Sequence, residues 1–160
     1  MKINKYNTRD ASNVPGKLSL IDPFSGEVII DDVGKTLDFY VYGMQSDMAR
    51  NAKKARDRKY GKLKSLTDEQ ASQSGAEFLA DITQGWSGNV EDDDGPIPVN
   101  RENAIGVFLN EDWIAKQVLD FASNLTNYSP KHLSESASTS AGSHGSKARQ
   151  KASKEQGENN

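Results

Sequence analysis

Apolar residues recur along this chain with two different periods, and the change of period divides it. "GKLSLIDPFSGEVIIDDVGKTLDFYVYG", residues 16–43, holds three short apolar runs. Leu18, Leu20 and Ile21 lie in the first, and Val28, Ile29 and Ile30 in the second. In the third, Leu37, Phe39 and Val41 alternate with Asp38, Tyr40 and Tyr42, the period of a strand with one buried face. The separators "DPFSG" and "DDVGK" carry turn chemistry: Pro23 presets φ, and Gly26 and Gly34 supply positive φ. The pattern predicts a three-stranded antiparallel meander over 17–42, preceded by a flexible arm over 1–16.

Beyond Tyr42 the period lengthens. Ser46 is placed to cap a helix over 47–64 whose apolar positions, Met48, Ala52, Ala55 and Leu63, make only a narrow seam. Thr67 and Gln70 have capping-box spacing at the start of a helix over 68–84. Its apolar face is Ala71, Phe78, Leu79 and Ile82, and Gly85 stands where a C′ glycine would end it. An acidic, glycine- and proline-bearing loop fills 85–100. Asn100 then caps a short helix with Ile105, Phe108 and Leu109. Asn110 caps the last, where Trp113, Ile114, Val118, Phe121, Ala122 and Leu125 make a broad face. The expected fold class is α+β: a small N-terminal meander of about three strands, then about four helices, in one domain over 17–128. Residues 129–160 hold no aromatic residue and few large apolar ones, so a disordered serine-rich tail is expected there.

Charge sharpens this picture. Residues 50–64 carry Arg50, Lys53, Lys54, Arg56, Arg58, Lys59, Lys62 and Lys64 against one aspartate, a net +7. Residues 65–128 hold twelve acids and two bases, a net −10. Such a dipolar surface favours self-association or a charged partner. The basic residues spread round most of the helix, without an aromatic or amide-rich reading face. A solvated face pairing with the acidic half, within or between subunits, therefore takes precedence over nucleic-acid binding. Without cysteine, disulfides and thiolate metal sites are excluded. The polar N-terminus lacks a signal-peptide pattern, and no apolar stretch is long enough to span a bilayer, so a soluble cytoplasmic protein is expected.

The acidic loop, "QGWSGNVEDDDGPIPVN", is the strongest candidate for site chemistry. Aligned on the EF-hand glycine at Gly95, Asp92 and Asp94 fall at ligand positions. Val90 then takes the first position and Arg101 that of the bidentate glutamate, so two key ligands are missing. Adjacent exposed carboxylates also lack the contrasting environments that acid–base catalysis needs. His132 and His144, the only histidines, fall in the expected tail, and no nucleotide-binding glycine motif occurs. A non-enzymatic protein without metal or cofactor is expected, its loop a shaped connector. Trp86, between Gly85 and Gly88, then fills a gap in the core or, as the competing reading, anchors a partner.

The combination of these residues resembles the tail assembly chaperones of long-tailed, siphovirus-like bacteriophages. Gly85, Trp86 and Gly88 match a Gly-Trp-x-Gly, Asp94 and Gly95 an acidic Asp-Gly segment, and Pro98 a Pro-Val-type stretch. Glu102 and Asn103 match a Glu-Asn that opens a short helix, and Trp113 an aromatic-bearing final helix. Upstream, "LIDPFSGEVIIDDVGKTLDFYVYG" is similar to the family's hairpin before a basic helix. The resemblance covers roughly residues 17–128. It implies a protein of the infected host's cytoplasm, absent from the mature virion, that binds the apolar, helical tape-measure protein. It also implies that tail-tube protein polymerises around that complex, and that a longer form can arise by ribosomal frameshifting. A minor structural component of the tail, or a small nucleic-acid-binding regulator using the basic helix, is the alternative. A chaperone needs apolar surface beyond its own core, and Phe108, Trp113, Ile114 and Phe121 are the candidates to contact the partner.

Overall fold

The sheet joins segments that lie far apart in sequence. The computed structural model describes residues 7–130. The expected disorder of the tail therefore falls, from residue 131 on, outside the described residues, as does the expected flexibility of residues 1–6. Strand β1, Gly16–Ser19, pairs antiparallel with β2, Asp38–Val41, in the register Leu18↔Phe39. Strand β3, Thr83–Trp86, pairs with the other edge of β2, Phe39 opposite Trp86, giving the order β1-β2-β3. The class is α+β: a three-stranded antiparallel sheet with helices.

Membership of the sheet differs from the meander over 17–42. Val28–Ile30 sits between two turns and is not a strand of the sheet. It makes the isolated bridges Ile21↔Val28 and Ile30↔Thr36, and the Ile29 backbone bonds Leu20 and Leu37, with Ile29 half-buried and Val28 and Ile30 exposed. Both turns are as the glycines suggest, with Gly26 at φ 74° and Gly34 at φ 81°. Asp22 Oδ1 accepts from the Phe24 and Ser25 amides, and Asp31 Oδ1 from those of Val33 and Lys35.

The arm over 1–16 is also folded where it is described. Asn7 caps a short helix α1, Thr8–Ser12, by accepting from the Asp10 amide. Arg9 pairs with Asp47 at 2.5 Å, and Asn13 exchanges hydrogen bonds with the same residue. Ser12 is fully buried against Gly43, where an added Cβ would approach its Oγ to 2.7 Å.

Helix α2, Asp47–Tyr60, starts at the Ser46 cap and ends at Tyr60 rather than at 64. Its buried seam is Ala49 and Ala52; Met48, Ala55 and Leu63 are exposed. Helix α3, Asp68–Ile82, begins with the full Thr67–Gln70 capping box. It buries Ala76, Leu79, Ala80 and Ile82, whereas Ala71 faces solvent. It stops at Ile82 because Thr83 turns extended and joins the sheet, its Oγ1 donating to the Leu79 carbonyl. Gly85 is consequently a strand residue and not a helix C-cap.

Helix α4, Arg101–Asn110, is capped by Asn100. Helix α5, Asp112–Ser123, begins after Glu111 with no side-chain cap, so Asn110 ends one helix instead of opening the next. A 3-10 turn over Leu125–Tyr128 closes the described chain. Phe39, Trp86, Phe108, Leu79, Ile82 and Val118 lie in the core where α3, α4 and α5 meet the sheet.

Candidate functional site

The segment 84–100 is shaped by its ends. Trp86 is 6% exposed, its ring 5.5 Å from that of Phe39, which lies 6.3 Å from Phe108. Its indole Nε1 donates to the Ile97 carbonyl at 2.9 Å, tying the far end of the loop to the sheet. Gly85 allows the return of the chain: an added Cβ would stand 2.9 Å from Val99 Cγ1. Between these ties runs a two-stranded hairpin, β4, Glu91–Asp92, and β5, Gly95–Pro96. The Asp94 amide donates to Asp92 Oδ1, and Gly95 adopts φ 114°, which a side chain would strain. Asn103 Nδ2 then donates to the Pro98 carbonyl, setting the entry into α4, while Glu102 and Gly88 stay exposed. The acidic loop is thus a hairpin on a Trp-anchored base.

Two residues passed over in the sequence hold that hairpin. Ser87 Oγ receives the Asp38 amide, and the Ser87 amide donates to the Asp38 carbonyl. Asn89 Nδ2 donates to Asp31 Oδ2 at 2.8 Å and to the Thr36 carbonyl at 3.3 Å. The Lys35 amide first, and Asn89 second, hold the Asp31 carboxyl below its ordinary range. Asp38 itself is nearly buried, with Lys17 Nζ at 3.0 Å and the hydroxyls of Ser19 and Thr36 at 2.7 and 2.9 Å. Asn89→Ala removes the link between hairpin and turn; amide exchange at Val90 and Ile97 is expected to quicken about tenfold. Hydrogen exchange followed by NMR checks it.

Of the residues put forward to contact a partner, Phe108 and Ile114 are 3% and 7% exposed and belong to the core, so neither offers a surface. Phe108 faces inward because α4 packs on α3 and α5, bringing its ring 6.3 Å from Phe39, and Ile114 because α5 packs against β2 and α4. Phe121 is half-buried, edge-on to Tyr128 at 5.8 Å and against Gly16, where an added Cβ would meet its ring at 2.8 Å. Trp113 is half-buried, and its Nε1 donates to Glu111 Oε2. Accessible apolar surface lies elsewhere: Phe24 is 98% exposed, Val33 77% and Ile30 61%. A signal was present for the first two, since an apolar residue at the centre of an aspartate-closed turn points at solvent.

Trp113 also lines an open groove of about 570 Å³ between hairpin, Asp31 turn and the α4–α5 junction, floored by Leu37, Val90, Ile97, Val107 and Ile114. A second groove, of about 580 Å³, runs between α2, α3 and α5 over Met44, Phe78, Leu79 and Leu119 and is edged by Arg50, Lys53 and Arg56.

Within the basic cluster, Lys59 pairs with Glu77 at 2.5 Å. Burial opposes ionisation of Glu77, but hydrogen bonds from Lys59, Gln73 and Tyr60 hold its carboxyl below the ordinary range. Among the described residues, Arg50, Lys53, Lys54, Arg56, Arg58, Lys62 and Lys64 form no salt bridge within 4 Å; the other pair reaching α3 is Arg101–Asp81. Pairing of the basic helix with the acidic half within one chain is therefore limited to Lys59. No helix among the described residues is long and apolar enough to cross a membrane. No protein-family model, curated protein or solved structure matches this chain.

Proposed function

We propose that this chain is a non-enzymatic assembly chaperone of bacteriophage tails, holding the tape-measure protein soluble while tail-tube protein polymerises around it. The observation that carries the reading is accessible apolar surface on a small, well-anchored domain. Phe24 and Val33 stand on turns fixed by Asp22 and Asp31, exposed Ile30 lies between those turns, and Asp31 lines an apolar-floored groove bearing Trp113. Surface of this kind marks protein contacts. The family resemblance of Gly85–Trp113 supplies the particular partner. Its motif residues work as scaffold: Trp86 in the core, Gly85 and Gly95 at close approaches or turns, Asn103 closing the loop.

Co-expression with the tape-measure protein of the same phage tests the proposal. Soluble tape-measure protein is expected to co-purify with the chain, and Phe24→Ser with Val33→Ser is expected to reduce its yield several-fold without shifting the chain's own melting. Insoluble tape-measure protein in the presence of the wild-type chain would refute the reading. Mass spectrometry of purified particles separates a chaperone, expected to be absent, from a minor virion component.

The cations of α2 that form no salt bridge among the described residues favour one second reading, a regulator that grips nucleic-acid phosphates. Affinity for duplex DNA would then fall steeply with salt and depend on Lys53, Lys54 and Arg56.

A further inference from the structure

The groove beside the hairpin has an apolar floor and a rim of one sign. Asp31, Asp32, Glu91, Asp92, Asp93 and Glu111 all line it. None of the six forms a salt bridge among the described residues. Among the described residues their mutual repulsion is relieved only in part, by Lys35 near Asp31. A partner bringing positive charge gains twice, by neutralising the rim and by covering the floor.

The backbone of the floor narrows the partner's form. The Leu20 amide donates to the Leu37 carbonyl, and the Leu37 amide to that of Ile29. The Val90 amide donates to Ser87, and the Ile97 amide to the Val90 carbonyl. These four main-chain amides are already engaged within the chain and offer no donor to an added strand. Recognition falls to side chains inserted from above, which an amphipathic helix supplies with anchors spaced three and four residues apart. At the lip, Trp113 presents a half-buried indole whose Nε1–H is held by Glu111, so a ligand that pairs with Glu111 must disturb it.

We infer that this groove binds an amphipathic helix of a partner protein whose apolar stripe is flanked by lysine and arginine. The inference rests on the reading of the chain as a protein-binding chaperone and adds the binding face and the charge of the bound segment. Anionic helices and nucleic-acid phosphates are repelled by the same rim. Asp92, Asp93 and Glu91 thereby acquire a role in partner choice that is neither catalytic nor metal-binding.

Two synthetic helical peptides of about 18 residues, some five turns, test this. Both carry the same leucine stripe, one flanked by lysine and the other by glutamate. Binding is followed by fluorescence polarisation and by the two indole N–H signals in a nitrogen–proton correlation spectrum. The lysine peptide is expected to bind at least about tenfold more tightly than the glutamate peptide, to weaken with salt, and to move the Trp113 indole signal. Asp32→Lys with Glu91→Lys and Asp93→Lys changes three exposed rim residues that form no salt bridge or side-chain hydrogen bond among the described residues. With thermal melting unchanged, this variant is expected to lose about tenfold or more in affinity for the lysine peptide. Equal binding of the two peptides, an unmoved Trp113 signal, or unchanged affinity in the variant overturns the inference. Should the groove fail while tape-measure protein still co-purifies, the chaperone reading stands on another face. Should the lysine peptide bind while tape-measure protein does not, the groove stands and that reading falls.

Discussion

Trp86→Ala is expected to lower the unfolding free energy by about 3–5 kcal/mol, the range for a large aromatic removed from a core. Trp86 is 6% exposed and stacked at a 34° tilt on the wholly buried Phe39. Truncation leaves a cavity between β2 and the base of the hairpin and orphans the Ile97 carbonyl that its indole now satisfies. Against the roughly 5–15 kcal/mol typical of a domain, that loss brings the protein close to unfolding at growth temperature. Urea titration followed by circular dichroism measures it. Trp86→Phe retains most of the ring but leaves the carbonyl unpaired, and is expected to cost about 1–3 kcal/mol. Trp113→Ala is the control: half-buried at the groove lip, it is expected to cost about 1 kcal/mol. Equal losses for the two tryptophans would mean that Trp86 is not the anchor of the fold.

Tyr128→Ala is expected to cost a similar amount, about 3–5 kcal/mol, although it lies at the end of the described chain. Its side chain is 1% exposed, its hydroxyl donates to the Val41 carbonyl at 3.1 Å, and its ring meets Phe121 edge-on. Burial pushes its phenolic pKa well above the usual range. Gly16 and Gly43 make room for the ring: Cβ atoms there would come within 3.2 Å of it. Tyr128 therefore locks the N-terminal strand, the β2 end and α5 together. Tyr128→Phe, which keeps the packing and loses one hydrogen bond, is expected to cost only about 1 kcal/mol. The same urea titration resolves the pair. A loss in Tyr128→Ala no larger than in Tyr128→Phe would show that the 3-10 turn detaches without consequence.

These two residues differ in how visible they are in the sequence. Trp86 stands out, flanked by glycine and followed by four acids, and a packing role can be argued from that context alone. Tyr128 borders the serine-rich tail; besides nearby Phe121, its partners include Val41 and Gly43, more than eighty residues earlier. The partner-contact residues divide in a similar way. An apolar face on α5 is legible, but whether Ile114 or Trp113 turns inward depends on how α4 and α5 dock. Ser87 and Asn89, which fix the hairpin, are small polar residues whose role exists only once Asp31, Thr36 and Asp38 have been brought beside them.

The sequence by itself determined what is closed within one turn of chain. The caps at Ser46, Thr67 and Asn100 and the positive-φ glycines at 26, 34 and 95 follow from bonds spanning four residues or fewer. So does the α+β class, because a period of two and a period near four are local properties. Only the tertiary structure decided which strand completes the sheet. Val28–Ile30 and Thr83–Trp86 both carry enough apolar character to serve, but the first makes isolated bridges between two turns, while Thr83–Trp86 emerges from α3 alongside the open edge of β2. It likewise decided that, among the described residues, seven of the eight cations between residues 50 and 64 form no salt bridge and that carboxylates from three separate segments encircle one apolar groove. Charge counts carry no direction, and a groove exists only between elements that the chain has already packed.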